Sequence, residues 1–206
     1  MLRPRAAYAA PLVSALVSDR RPVSEAKLEQ TDAGLVTTSA GWFVLNARDA
    51  RWIERPGRGH SLPFTGWTEE EAETNFRELG VNLVALGGGE PIGMYHWEAD
   101  CEDFLVLSGD GILIVEGEER PLRQWDFVHC PPGTRHVIVG AGEDGCVLVA
   151  IGTRAHIGQD CNGGAYVVDE AARRHGAAPD DPDDPYARFP APEATPHRDG
   201  WLPFGS

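Results

Sequence analysis

The sequence predicts an all-β domain, an antiparallel sandwich or barrel centred on residues 81–152. Short apolar runs recur there at 81–86, 93–97, 104–107, 111–115, 127–130, 136–139 and 147–151. Turn-forming groups separate them: Gly87-Gly88-Gly89-Glu90-Pro91, Ser108-Gly109-Asp110-Gly111, Glu116-Gly117-Glu118, Pro131-Pro132-Gly133 and Gly140-Ala141-Gly142. Runs of this length are strand-sized, and glycine or proline at such intervals marks repeated chain reversal. The 206 residues are 42% hydrophobic and 24% charged, enough for one real core, which excludes wholesale disorder.

Along the chain, residues 1–22 are rich in Arg and Ala and form a weakly basic extension. Arg3 and Arg5 precede a mild apolar run, but Pro11 and Ser14 interrupt it, so it is read as an extension rather than a secretory leader. One domain is expected over 23–175. In its first part Gly41-Trp42-Phe43-Val44-Leu45 is strand-like, 48–63 reads as Arg/Gly/Pro turns, and Glu69 to Leu79 fits one short helix. The runs 104–107 and 111–115 are read as separate strands about the Ser108–Gly111 turn. Asp169 to His175 is a second short helix, closed by Gly176. The tail, 176–206, holds seven of the 16 prolines and the acidic run Asp180-Asp181-Pro182-Asp183-Asp184, so no regular element is expected. Its aromatic residues Tyr186, Phe189, Trp201 and Phe204 predict that it packs on the domain or on a partner subunit.

Composition excludes some partners. With 18 Lys+Arg against 32 Asp+Glu, the formal charge is −14. A field of that sign repels phosphate backbones, so nucleic acid is not an expected partner. No stretch reaches the roughly 18 apolar residues of a membrane-spanning helix, so no membrane partner is expected. The four cysteines, Cys101, Cys130, Cys146 and Cys161, form no Cys-x-x-Cys pair and are too few for a disulfide scaffold. They read as reduced thiols of a cytoplasmic protein.

Chemistry concentrates between Gly93 and Val139. His96 and Glu98 stand two apart on a strand-like run, so their side chains leave one face. Glu102 opens the next run after a short acidic bend, and His136 opens a later one just after Pro131-Pro132-Gly133. Two imidazoles and two carboxylates from neighbouring strands make a ligand set for a first-row divalent metal.

These residues resemble the cupin family. The first cupin motif, Gly-x5-His-x-His-x3–4-Glu-x6-Gly, is matched by His96-Trp97-Glu98-Ala99-Asp100-Cys101-Glu102 and the spacing from Glu102 to Gly109. The second, Gly-x5-Pro-x-Gly-x2-His-x3-Asn, is matched in its middle by Pro131-x-Gly133-x2-His136. Glu98 replaces the family's second histidine, Trp125 its leading glycine of the second motif, and Gly140 its closing asparagine. The resemblance implies a jelly-roll, or double-stranded β-helix, barrel with a few short helices and irregular terminal extensions. It implies one divalent ion (Fe, Mn, Ni or Zn) on His96, Glu98, Glu102 and His136, and a homodimer.

Two carboxylates would make such a site formally neutral, where three histidines and one glutamate leave it at +1. A neutral site is a weaker Lewis acid. An alternative keeps His96, His136 and one glutamate as a facial triad and frees the other, Glu98, as a catalytic base. Strand alternation places Met94, Phe104, Val106, Val128, Cys130 and Ile138 on the inner wall, an apolar pocket suited to a small organic molecule. It sends Tyr95, Trp97, Leu105, Leu107, Phe127, Val137 and Val139 outward, with His129, and a face that apolar needs a cover: a second subunit or the chain's own flanks. The expected function is a metal-dependent enzyme on a small molecule, with an oxygenase favoured over an isomerase or lyase. The alternatives are a non-catalytic sugar- or metabolite-binding module and a storage role.

Overall fold

The computed structural model describes residues 22–66, 76 and 78–203. The extension 1–21 and most of the helix expected over 69–79 lie outside these residues. Leu79, placed at the end of that helix, instead opens a strand. The described elements are β1 (Leu28–Thr31), β2 (Gly34–Thr37), β3 (Arg51–Glu54), β4 (His60–Pro63), β5 (Leu79–Leu86), β6 (His96–Trp97), β7 (Glu102–Val115), β8 (Glu118–Arg123), β9 (Phe127–Cys130), β10 (His136–Gly140), β11 (Cys146–Thr153), β12 (Ala165–Tyr166), α1 (Glu170–Arg174) and β13 (Glu193–Pro196). The fold is all-β, and every strand pair is antiparallel.

The long strand β7 organises the molecule. Its first part, from Glu102, lies between β9 and β11; its last part, to Val115, lies between β8 and β10. One continuous strand therefore runs through both faces of the jelly roll. This corrects the reading of Ser108–Gly111 as a turn between two strands. The chain bends there without reversing, with a register shift against β11 between Val147 and Leu148 and Gly109 at φ 73°. A Cβ at Gly109 would lie 2.1 Å from the Gly145 carbonyl oxygen, so only glycine allows the crossing. The reversal comes seven residues after Gly109, at Glu116-Gly117, a two-residue hairpin with φ positive at both positions.

Facing residues of the two faces fill the interior: Val84, Leu86, Phe104, Val106, Leu113, Leu122, Val128, Cys130, Ile138, Cys146 and Leu148 form one buried cluster. Met94 is equally buried but lies outside that cluster, with its sulfur against the Arg188 guanidinium.

Residues on the outer side of the sheets are mostly covered by the same chain. Tyr95, Ile114, Val137 and Val139 pack against Ala171 and Ala172 of α1 and against Ala177 and Ala178. Leu107, Val147 and Val149 pack against Trp52, Leu62 and the tail residues Trp201 and Leu202. Phe127 remains exposed, and so does Trp125.

Three local expectations need correction. Gly41–Leu45 forms only one bridge, Glu25 to Trp42. The supposed turns of 48–63 contain β3 and β4, whose buried Trp52-Ile53 and Ser61-Leu62 pairs are too short to show alternation in sequence. The tail contains β13, antiparallel to β3 with Thr195 opposite Trp52. Its proline is tolerated because β13 is an edge strand. Helix α1 has Asp169 as its N-cap, accepting from the Ala172 amide at 3.0 Å, and Gly176 follows at φ 65°.

Candidate metal centre

His96 and His136 are cross-strand neighbours in the β6–β10 pair, and Glu102 opens β7 beside them. The Gly133 amide donates to the Glu98 carbonyl at 2.8 Å, tying the turn before His136 to the His96–Glu98 segment. Each histidine is oriented by its own backbone neighbourhood. His96 Nδ1 lies 2.8 Å from the Met94 carbonyl oxygen, and His136 Nδ1 lies 3.0 Å from that of Thr134. A carbonyl only accepts, so both Nδ1 atoms carry the hydrogen and donate it. Both Nε2 atoms thus turn inward, the arrangement by which proteins present imidazole to a metal.

The inner atoms converge. His136 Nε2 lies 3.1 Å from Glu102 Oε2; His96 Nε2 lies 3.5 Å from the same oxygen and 3.4 Å from Glu98 Oε1. Yet Glu102 Oε2 and His136 Nε2 are both buried without a hydrogen-bond partner of acceptable geometry among the described residues. Donor atoms of His96, Glu102 and His136 lie within 4.8 Å of one another. Glu98 falls in a separate group, with His96 and Cys161. The four residues named from sequence are therefore adjacent, but three make one cluster and the fourth stands at its side.

Electrostatics points the same way. Two carboxylates and two neutral imidazoles leave this pocket with surplus negative charge. Burial opposes charge on His96, but Glu102 and Glu98 override it and raise its pKa to about 10. Burial likewise opposes charge on His136, and contacts with Cys130 and Glu102 raise it to about 10. Burial would raise Glu102, yet the two imidazoles hold it down at about 2. The cluster demands positive charge, and a divalent cation or protons can supply it. The orphaned Nε2 and Oε2 atoms, with both Nδ1–H groups already committed, fit a metal.

Two residues escaped the sequence reading. Tyr166 pairs with His96 across β12–β6, its ring centroid 5.6 Å from the imidazole, and its hydroxyl lies 3.4 Å from that of Tyr186. Cys161 sits beside Glu98, its thiol pushed up to about 12 by burial and so fully protonated. What brings them here is Gly164. A Cβ at that position would lie 1.8 Å from the Trp97 carbonyl oxygen, so only glycine lets residues 161–166 close on the site. No ligand-type spacing announces either residue. Of the expected inner-wall set, Phe104, Val106, Val128, Cys130 and Ile138 are core residues, and the Phe104 ring centroid lies 5.5 Å from that of His136.

Residues 82–152 match the family model described as "Cupin domain". No curated protein sequence matches the chain. Among solved structures, a putative sugar phosphate isomerase from Acidithiobacillus ferrooxidans is 27% identical, with 49% of this chain and 63% of that one covered and a TM-score of 0.41. A cupin-superfamily sugar phosphate isomerase from Silicibacter pomeroyi is 24% identical over 53% of this chain and 63% of that one, with a TM-score of 0.39. KdgF from Halomonas sp. is 20% identical over 48% of this chain and 80% of that one, again at 0.39. The chain thus spans 63% of the length of each isomerase. The residues that match the cupin domain model, 82–152, include the strands that carry His96, Glu102 and His136.

Proposed function

We propose that this protein is a metal-dependent enzyme acting on a small organic molecule, with His96, Glu102 and His136 as the ligands of one divalent ion. The observation behind it is that the buried atoms Glu102 Oε2 and His136 Nε2 make no hydrogen bond among the described residues and converge with His96 Nε2. Two imidazoles and one carboxylate suit Fe(II), with Mn, Ni and Zn also accommodated, and such an ion supplies Lewis acidity and, for iron, oxygen chemistry. An oxygenase is therefore favoured over an isomerase or lyase.

The chain's own residues take defined roles. Glu98, its side chain only 12% exposed, holds an oxygen next to His96 without belonging to the three-residue cluster. It is positioned to accept a proton from a bound substrate. Tyr166 walls the site over His96, and Phe104 closes it below His136, limiting water. The raised pKa values of the imidazoles support a second reading, in which protons neutralise the cluster and the barrel is a metal-free binding module.

Thermal unfolding of chelated protein with added Fe(II), Mn, Ni or Zn separates the two. An ion that binds only the folded state raises Tm with concentration. The enzyme reading predicts a clearly larger rise in wild type than in His96→Ala/His136→Ala. An equal rise in both proteins, or none in either, transfers the assignment to the binding module.

A further inference from the structure

The outer face of the same strands carries a second constellation. On β7, alternation turns Glu102 inward and Asp103 outward, with Cys101 leading into the strand. On β9, Val128 and Cys130 face the core while His129 faces out, directly opposite Asp103. Asp103 Oδ1 lies 2.5 Å from His129 Nδ1, and Cys101 Sγ lies 3.8 Å from the same nitrogen. All three donor atoms fall within 4.8 Å of one another. A nucleophilic relay would put the thiol and the carboxylate on opposite ring nitrogens. Here both address one nitrogen, so the three atoms surround a point. The His129 and Asp103 side chains are 56% and 30% exposed, so solvent reaches that point.

We propose that Cys101, Asp103 and His129 form a second metal site, open to solvent and suited to a thiophilic divalent ion of the zinc class. Sulfur, nitrogen and carboxylate oxygen on three protein ligands, with water at the fourth position, is a zinc donor set. The inner cluster of His96, Glu102 and His136 has no sulfur, so the two sites differ in preferred ion. The protein's −14 charge raises the local concentration of cations for both. On binding, the Cys101 thiol releases its proton to solvent as the sulfur–metal bond forms. The proposal does not depend on the inner centre being occupied.

The test uses the reduced, chelated full-length chain titrated with Co²⁺. The expected result is a thiolate-to-cobalt charge-transfer absorption, which in His136→Ala, where the inner centre takes no ion, saturates at one ion per chain. It disappears in Cys101→Ser and requires at least about tenfold more Co²⁺ in His129→Ala. Absence of the band in wild type overturns the proposal. So does a band that survives Cys101→Ser, which would place the sulfur contact at Cys161 or Cys130. Circular dichroism of the variants excludes misfolding as the source of a loss.

Discussion

His136 Nε2 and Glu102 Oε2 lie 3.1 Å apart, both buried, and no hydrogen bond joins them. In metal-free protein this contact has to be neutralised by protons, which makes stability depend on pH. The folded pKa of each imidazole, about 10, lies above the unfolded value of about 6.5. That contribution is complete below about pH 6.5 and is lost as pH rises toward 10. Glu102, at about 2, lies below its unfolded value, so its contribution is present above about pH 4.5 and lost as pH falls toward 2. The chelated protein is therefore expected to have a higher urea midpoint at pH 6 than at pH 9, and His136→Ala to flatten that difference. Urea unfolding of chelated samples at both values checks it.

Trp125 occupies the position at which the second cupin motif has glycine, and its backbone is left-handed, with φ 75°. The turn is kept: the Trp125 amide donates to the Val106 carbonyl at 2.8 Å, and the Asp126 amide to that of Arg123 at 3.0 Å. A side chain in this conformation costs about 1–2 kcal/mol. The ring is 67% exposed and recovers little of that. Trp125→Gly is expected to leave Tm unchanged or raise it, because the relieved strain exceeds the extra chain entropy of glycine, about 0.5–1 kcal/mol. Trp125→Ala keeps the strain and should not match it. A drop in Tm for Trp125→Gly in calorimetry would mean that the ring makes a stabilising contact.

The proline-rich tail is part of the folded structure through Trp201, whose ring stacks on His60 at 3.8 Å and tilts against Trp52 at 5.4 Å. Trp52 is fully buried beneath it. Trp201→Ala is expected to cost about 2 kcal/mol, below the roughly 3–5 kcal/mol of a fully buried aromatic because the ring is half-buried. Denaturant unfolding followed by Trp fluorescence reads both the stability loss and the uncovering of Trp52. An unchanged midpoint would show that the tail contributes no stability there.

The barrel strands with the strongest patterning, β5, β7, β9, β10 and β11, were legible because each buries alternate or continuous apolar residues between glycine or proline turns. The same rule misread Gly109. Glycine permits both a reversal and a bend in a continuing strand, and only the partner strands decide which. The four-residue strands β3, β4 and β13 gave no signal, since pairing and burial of Trp52 decide their conformation more than local propensity does. Within the site, His96, Glu98, Glu102 and His136 could be named from motif spacing. The separation of Glu98 from the other three could not, because it depends on side-chain directions across the β6–β10 pair. Tyr166 and Cys161 were invisible for a different reason: they arrive from 60 or more residues away, through the close crossing at Gly164.

The measurement that bears most directly on the proposed centre is metal content by elemental mass spectrometry. It is made on reconstituted protein in a Cys101→Ser background, so that the outer constellation does not contribute. The three-residue centre predicts about one ion per chain in that background and with Glu98→Ala added, and almost none with His136→Ala added. Loss in both variants would make Glu98 a direct ligand. Retention of the ion in His136→Ala, or no ion in any sample after exposure to Fe(II), Mn, Ni and Zn, would contradict a metal at His96, Glu102 and His136.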